Sequence, residues 1–279
     1  RRIAAAPDGL DHVVIVSDDA VESGGAAAIA LASARALARA GHRGTFLSGS
    51  GDVPAAEPNL TFTGFGASHI LDGSRAKAAM RGIFDLAVLR RLRGWIAIHD
   101  TPRTVYHLHN WHKVLSPSVF YALHGVSDRL FITAHDYFLV CANGAQFVYP
   151  AGESCERVPM SGDCLGTRCD RRHYGHKLWR AGRQAARQLA FDVSRTEATV
   201  VAVHEGMIPY LVRGGVPRAR IAVVPNPVVP WCTKRILAEH HRDILFVGRL
   251  EPDKGVDLVA RAARLAGVPL RIVGDGSLR

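Results

Sequence analysis

The chain repeats one pattern, a short and wholly apolar run followed by a longer segment with helical periodicity. Val13 to Val16 is the first such run, and residues 26–40 then contain neither Pro nor Gly before Gly41. A four-residue apolar run is typical of a parallel strand buried on both faces, and Gly41 is a helix C-cap signal. Further strands are predicted at 44–47, 105–108, 130–133, 200–203, 221–224, 244–247 and 270–273, and further helices at 74–93, 118–124, 176–191, 205–213 and 255–266. This order predicts an α/β fold with doubly wound parallel sheets.

A proline-rich segment divides the pattern into two parts. Residues 225–230 contain three prolines, which predicts an interdomain linker. We expect an N-terminal Rossmann-like domain over 1–225 with a Cys-containing insertion at about 137–172, and a partial C-terminal Rossmann-like domain over 231–279. The second part is far shorter than a typical domain. Because the chain starts without Met and stops just after a predicted strand, we expect both ends to be cut.

The charge favours anionic partners. The chain has 35 Lys and Arg against 25 Asp and Glu, a net charge of +10. Such a surface attracts nucleic acid, anionic lipid or phosphorylated ligands, and the sign alone does not choose among them. Since the sequence offers neither an apolar run long enough to span a membrane nor a signal peptide, a cytoplasmic protein is predicted.

Several catalytic motifs are absent from the sequence. It contains no G-x-x-x-x-G-K-[ST], G-x-G-x-x-G, H-E-x-x-H or G-x-S-x-G pattern. Their absence disfavours P-loop nucleotidases, dinucleotide enzymes, zincins and serine hydrolases. The Asp-x-Asp signature of metal-dependent nucleotide-sugar enzymes is also missing.

The most informative segment runs from Gly248 to Gly255, between a predicted strand and a predicted helix. Gly248 at the strand end allows a ligand to approach the backbone. Arg249 and Lys254 place two cations beside a helix N-terminus, whose free N–H groups already favour a diphosphate.

This segment closely resembles the donor-binding motif of retaining glycosyltransferases of family 4, which have the GT-B fold. Four other pieces resemble family segments in the same order, so that the resemblance spans nearly the whole chain. They are Ser23-Gly24-Gly25, Thr133-Ala134-His135-Asp136, Val224-Pro225-Asn226 and Val273-Gly274-Asp275-Gly276.

The resemblance implies roles for individual residues. Arg249 and Lys254, with Gly24 and Gly25, would bind the donor diphosphate, and His135 would be the catalytic residue that touches the transferred sugar. Residues expected to line the cleft are His109, Asp136, Asn226, Gly248 and Gly274. The family uses no cofactor or metal, and its glutamate pair for the donor sugar lies beyond the last residue here, so we expect this chain to be catalytically incomplete.

Four cysteines, Cys141, Cys155, Cys164 and Cys169, lie in the insertion. Their spacings match no C-x-x-C pattern, so reduced, partly buried thiols are favoured, with zinc second and a disulfide third. The stretch from His135 onwards resembles a subgroup of bacterial polysaccharide glycosyltransferases, which implies an acceptor-side loop.

One predicted helix carries a basic stripe. His176, Arg180, Arg183 and Arg187 share one face, and Leu178, Ala181, Ala185 and Leu189 share the opposite one. Such a stripe would contact an anionic membrane surface or a lipid-linked pyrophosphate, or it would be a solvated face.

These observations predict a retaining, metal-independent glycosyltransferase. It would move a sugar from a nucleoside diphosphate sugar to a glycan or lipid-linked acceptor in polysaccharide biosynthesis, peripherally on the inner face of the cell membrane. The alternatives are a GT-B nucleotide-sugar epimerase and a basic nucleic-acid-binding α/β protein. No nucleic-acid reader motif is recognisable, so we expect no nucleic-acid partner.

Overall fold

The computed structural model describes residues 9–21, 24–70, 72–228, 230 and 232–279. Ser23 of the glycine loop and Trp231 at the start of the predicted second domain lie outside these ranges. Within them the strands are β1 (His12–Ser17), β2 (Arg43–Ser48), β3 (Leu60–Gly64), β4 (Thr104–Leu108), β5 (Leu130–Ala134), β6 (Phe147–Val148), β7 (Glu153–Ser154), β8 (Thr199–Ala202), β9 (Ile221–Val223), β10 (Ile244–Val247) and β11 (Leu270–Val273). The α-helices are α1 (Gly25–Arg39), α2 (Arg75–Ile83), α3 (Leu86–His99), α4 (Ser118–Leu123), α5 (Gly162–Gly166), α6 (Tyr174–Ala190), α7 (Ile208–Arg213) and α8 (Val256–Ala266).

The central sheet is parallel throughout. In the part of the chain that the structure describes it has seven strands in the order β3-β2-β1-β4-β5-β8-β9. Val14 in β1 lies between Thr45 in β2 and Tyr106 in β4. The order reverses direction between β1 and β4, which is the topological switch point of a doubly wound fold.

Alternate residues of each strand enter two separate cores. Val14 and Val16 pack with Leu92, Phe120 and other residues of one cluster. Their neighbours Val13 and Ile15 belong to a second cluster, which includes Ala30, Leu31 and Ala34 of α1. Burial on both faces explains why the strands are continuously apolar rather than alternating.

A second unit begins after the proline-rich segment. β10 and β11 form a parallel pair, and α8 connects them. Helix α8 starts after Gly255, whose φ of 70° favours glycine, and buries Val256 and Ala263. The predicted α/β fold, a Rossmann-like sheet followed by the start of a second one, is therefore confirmed; the exact boundary between the two domains stays a prediction.

Two elements differ from the sequence prediction. β3 was not predicted, although Leu60 and Phe62 alternate with threonines as in a sheet strand. The helix predicted over 74–93 is two helices, because Asp85 breaks it. The Asp85 carboxylate caps α3 by accepting the backbone N–H groups of Ala87 at 2.8 Å and Val88 at 3.1 Å.

The predicted basic stripe on α6 faces inward, so its C-terminal half contacts neither an anionic membrane nor a lipid-linked pyrophosphate and is not a solvated face. Arg183 and Arg187 are buried, whereas Leu189 on the opposite face is 90% exposed. Arg183 donates through Nε to the Gly82 carbonyl at 2.6 Å and through Nη2 to the His112 carbonyl at 2.8 Å. The basic face of α6 is therefore covered by backbone carbonyl groups that accept hydrogen bonds from it, and not by water or lipid.

None of the helices in the described residues is long and apolar enough to cross a bilayer.

Candidate functional site

A cleft of about 1460 Å³ lies where the strands of the central sheet end. This is the edge at which doubly wound sheets bind ligands, beside their switch point. Predicted site residues that line it are Gly24, Gly25, His135, Asp136, Asn226, Arg249 and Lys254. The structure thus brings together residues up to 230 positions apart in sequence, from Gly24 to Lys254. Their roles in binding and catalysis stay predictions.

The N-terminus of α1 forms one wall of the cleft. Among the described residues no side chain caps it and no acidic residue lies in its first turn, so its free N–H groups are available to an anion. A Cβ added to Gly24 or Gly25 would meet no described atom within 4 Å. The two glycines are therefore not required by packing, and they leave the backbone open to a ligand.

Arg249 and Lys254, in the loop between β10 and α8, line the same cleft. Both side chains are exposed and line the cleft. Between them in sequence, Glu251 turns away and pairs with Arg171 of the insertion, and the Ser277 hydroxyl donates to its Oε2 at 2.7 Å. The Glu251 carboxylate is thus neutralised by its own partners.

Three histidines form a stack behind the cleft. Nδ1 of His109 and Nε2 of His135 are 2.9 Å apart, and the rings of His107 and His109 lie 4.1 Å apart. Nε2 of His107 is hydrogen-bonded to the Thr133 hydroxyl at 2.7 Å. Burial lowers the pKa of His107 and of His135 to about 4 and that of His109 well below its usual value. All three rings are therefore neutral at pH 7.

Three predicted cleft-lining residues do not line the cleft. His109 is only 3% exposed and lies behind His135, because it directly follows buried β4. Gly248 directly follows β10, Gly274 directly follows β11, and the two residues pack against each other. A Cβ on Gly274 would lie 1.8 Å from the Gly248 carbonyl oxygen. Gly274 therefore allows the strand ends to pack closely, and a contact of either glycine with a ligand stays a prediction.

Two carboxylates stand close to the histidines. Asp136 accepts the backbone N–H of Phe138 at 2.9 Å, and burial raises its pKa to about 6, with nearby Asp18 adding to the shift. Asp18 is fully buried at the end of β1, and burial raises its pKa as well. Sequence reasoning missed Asp18, although its position directly after a predicted strand was a usable signal.

The insertion is a small subdomain rather than an irregular loop. β6 and β7 pair as an antiparallel hairpin, and Val148, Cys155 and Cys169 form its core. The four insertion cysteines are buried, and none of them is paired in a disulfide. Lys177 of α6 is buried beneath them and donates to the Cys164 and Thr167 carbonyls and to Sγ of Cys169. Within the described ranges, no three His, Cys, Asp or Glu side chains are grouped to hold a metal ion.

Gln146 at the cleft edge of the insertion was also missed. It is only 4% exposed, yet neither its amide oxygen nor its amide nitrogen has a hydrogen-bond partner among the described residues. Its φ of 52° lies in the left-handed region that non-glycine residues avoid. No sequence pattern would have indicated this residue.

The sequence model of Glycosyltransferase Family 4 matches residues 23–230. Because that match covers most of the chain, this protein belongs to glycosyltransferase family 4, as its motifs predicted. No curated protein matches the chain. Among solved structures, the lipopolysaccharide outer core galactosyltransferase WaaB in its apo form is similar, with 12% sequence identity and a TM-score of 0.46. The match covers 95% of this chain and 61% of that one, so the chain spans less than two thirds of that protein's length.

Proposed function

We propose that this chain forms the acceptor side and the beginning of the donor side of a retaining glycosyltransferase. The donor would be a nucleoside diphosphate sugar, and the acceptor a glycan or a lipid-linked sugar in polysaccharide biosynthesis. The observation that carries the proposal is that Arg249, Lys254 and the N-terminus of α1 line one cleft.

The charges of this cleft suit a diphosphate. Two exposed cations and the backbone N–H groups at the start of α1 line the same cleft, and both would attract an anion. Charge-assisted hydrogen bonds of this kind are about twice as strong as neutral ones. The same cations would take the place of a bound metal in stabilising the departing diphosphate, which is why we propose metal-independent chemistry.

The proposed reaction is front-face substitution at the anomeric carbon. The bond between that carbon and the diphosphate oxygen breaks, and the acceptor oxygen bonds to the same carbon on the same face. The acceptor proton passes to the departing diphosphate oxygen. Arg249 and Lys254 would stabilise the charge that develops on the leaving group, which is commonly the largest protein contribution.

His135 would act as a neutral hydrogen-bonding group in this reaction. With its pKa lowered to about 4, the ring is neutral at pH 7 and cannot act as an imidazolium acid. We therefore propose that it orients the transferred sugar.

Membrane contact through α6 is not part of the proposal. Two of the four basic residues on which it rested, Arg183 and Arg187, are buried. Location at the inner face of the cell membrane would have to depend on binding of a lipid-linked acceptor or on another surface of the protein.

The test uses the complete protein with the uridine, guanosine and adenosine diphosphate derivatives of common hexoses and with methyl glycosides as acceptors. We expect transfer from one donor, in the presence of chelator, with the anomeric configuration retained in the NMR spectrum of the product. An inverted product would contradict the mechanism. Conversion of the donor without any acceptor would favour the epimerase alternative instead.

A further inference from the structure

The hydrogen bond between His109 and His135 has only one proton to share. Nδ1 of His109 lies 2.9 Å from Nε2 of His135, and the rings are stacked at 5.2 Å. Because both imidazoles are neutral, each carries a single N–H. Either His109 donates to His135 or His135 donates to His109, and the two arrangements give His135 opposite tautomers.

The other nitrogen of His109 distinguishes these arrangements. Nε2 of His109 is buried and has no partner among the described residues. If His135 donated to Nδ1 of His109, then Nε2 of His109 would carry a buried, unpaired N–H. Buried N–H donors without a partner are rarer in proteins than buried acceptors without one. The opposite arrangement leaves only a bare nitrogen unpaired.

We propose that His109 is a positioning residue, which donates its Nδ1–H to Nε2 of His135 and thereby holds His135 in the tautomer with its proton on Nδ1. Nε2 of His135 is then occupied as an acceptor. Nδ1 of His135 forms no hydrogen bond within the described ranges, and His135 lines the cleft. The residue consequently offers an N–H donor to a ligand.

This assignment restricts what His135 can do. A fixed N–H donor recognises an oxygen, such as a hydroxyl of the transferred sugar or a diphosphate oxygen, and it cannot accept a proton from the acceptor. Its catalytic consequence rests on the proposed function, whereas the tautomer itself does not.

His107 and Thr133 keep His109 in place. The His107 ring packs against the His109 ring, and Nε2 of His107 is hydrogen-bonded to the Thr133 hydroxyl near the end of β5. His135 follows two residues later, after the same strand. Both ends of the pair are therefore fixed to adjacent strands β4 and β5.

The tautomer can be read directly by ¹⁵N-edited NMR of the protein labelled at histidine, with His135→Gln used to assign the signals. We expect Nδ1 of His135 to be protonated and Nε2 to be bare. In His109→Leu the fixed pattern should be lost. In His109→Asn, whose side-chain amide can still donate an N–H near the same place, it should be kept. His124→Asn, at an exposed position after α4, is the matched control.

The kinetic readout separates positioning from folding. In the complete protein we expect His109→Leu to lower kcat at least tenfold with little change in the KM for the donor, and His109→Asn to recover most of that loss. A protonated Nε2 on His135 in the wild-type protein, or a His109→Leu spectrum unchanged at His135, would overturn the proposal. The predicted tautomer in a protein that transfers no sugar would overturn the proposed function alone.

Discussion

Oδ1 of Asp18 accepts the backbone N–H of Leu115 at 2.9 Å, which joins the end of β1 to the loop that precedes α4. The same oxygen accepts the N–H of Val114, and Oδ2 accepts that of Lys113, both at 2.9 Å. Three consecutive backbone donors thus converge on one buried carboxylate, and they hold the floor of the cleft.

We predict that Asp18→Asn destabilises the protein by about 2–4 kcal/mol. The amide group would place an N–H against backbone N–H donors and leave at least one of them buried without an acceptor. Urea unfolding followed by circular dichroism measures the loss. Asp52→Asn, at an exposed position after β2, is the control and should change stability by less than about 0.5 kcal/mol. Equal stability of Asp18→Asn and wild type would show that the carboxylate does not hold this loop.

The sequence pattern predicted the strands and helices whose apolar residues are contiguous. It missed side chains whose burial depends on contacts with residues far away in the sequence. β1, β4 and β5 are central strands buried on both faces, so their composition alone identifies them. β3 is an edge strand with threonines, which weakens the signal. The Arg249 and Lys254 loop was recognisable because a strand, two cations and a helix start are adjacent in sequence.

Helix α6 shows why polarity alone is an unreliable guide to exposure. Arg183 and Arg187 fit the pattern of a solvated face, yet they are buried because the Gly82, His112 and Phe191 carbonyls need donors. Asp18 and Gln146 were missed for a related reason, since their importance comes from groups far away in sequence.

We predict that Gln146→Met stabilises the ligand-free protein by about 1–3 kcal/mol. The substitution replaces a buried amide without partners by an apolar side chain of similar shape, which removes the cost of an unsatisfied polar group. A higher midpoint of urea unfolding, with an unchanged dependence of the unfolding free energy on urea concentration, would confirm this. Asn143→Met is the contrasting variant, because the Asn143 amide donates to the Phe147 and Cys169 carbonyls, and its replacement should destabilise. A loss of stability in Gln146→Met would mean that the amide contributes to the fold.

We predict that buried histidines make the protein sensitive to acid. Burial, with Arg183 and other cations adding, lowers the pKa of His112 to about 3. Between that value and the unfolded value near 6.5 the unfolded chain binds more protons, so stability is lost as the pH falls. Asp136 acts in the opposite direction, because its raised pKa favours the folded state at lower pH.

His112→Gln should therefore flatten the pH dependence. We expect the difference in unfolding free energy between about pH 7 and pH 5 to shrink by about 2 kcal/mol relative to wild type. Urea unfolding at a series of pH values measures it, with exposed His124→Gln as the control. Parallel curves for wild type and His112→Gln would show that this ring titrates normally in the folded protein.

The central claim is that the cleft holds a nucleoside diphosphate between Arg249, Lys254 and the N-terminus of α1. Isothermal titration calorimetry with uridine, guanosine and adenosine diphosphates on the complete protein tests it most directly. Arg249→Ala and Lys254→Ala should each weaken the binding about tenfold to hundredfold, which corresponds to the loss of about 1.5–3 kcal/mol for a charge-assisted contact. Arg249→Lys should restore only part of the affinity, since a point charge cannot replace the planar guanidinium. Arg264→Ala, an exposed cation in the last turn of α8, should bind like wild type. Correctly folded Arg249→Ala and Lys254→Ala proteins with wild-type affinity would contradict the account.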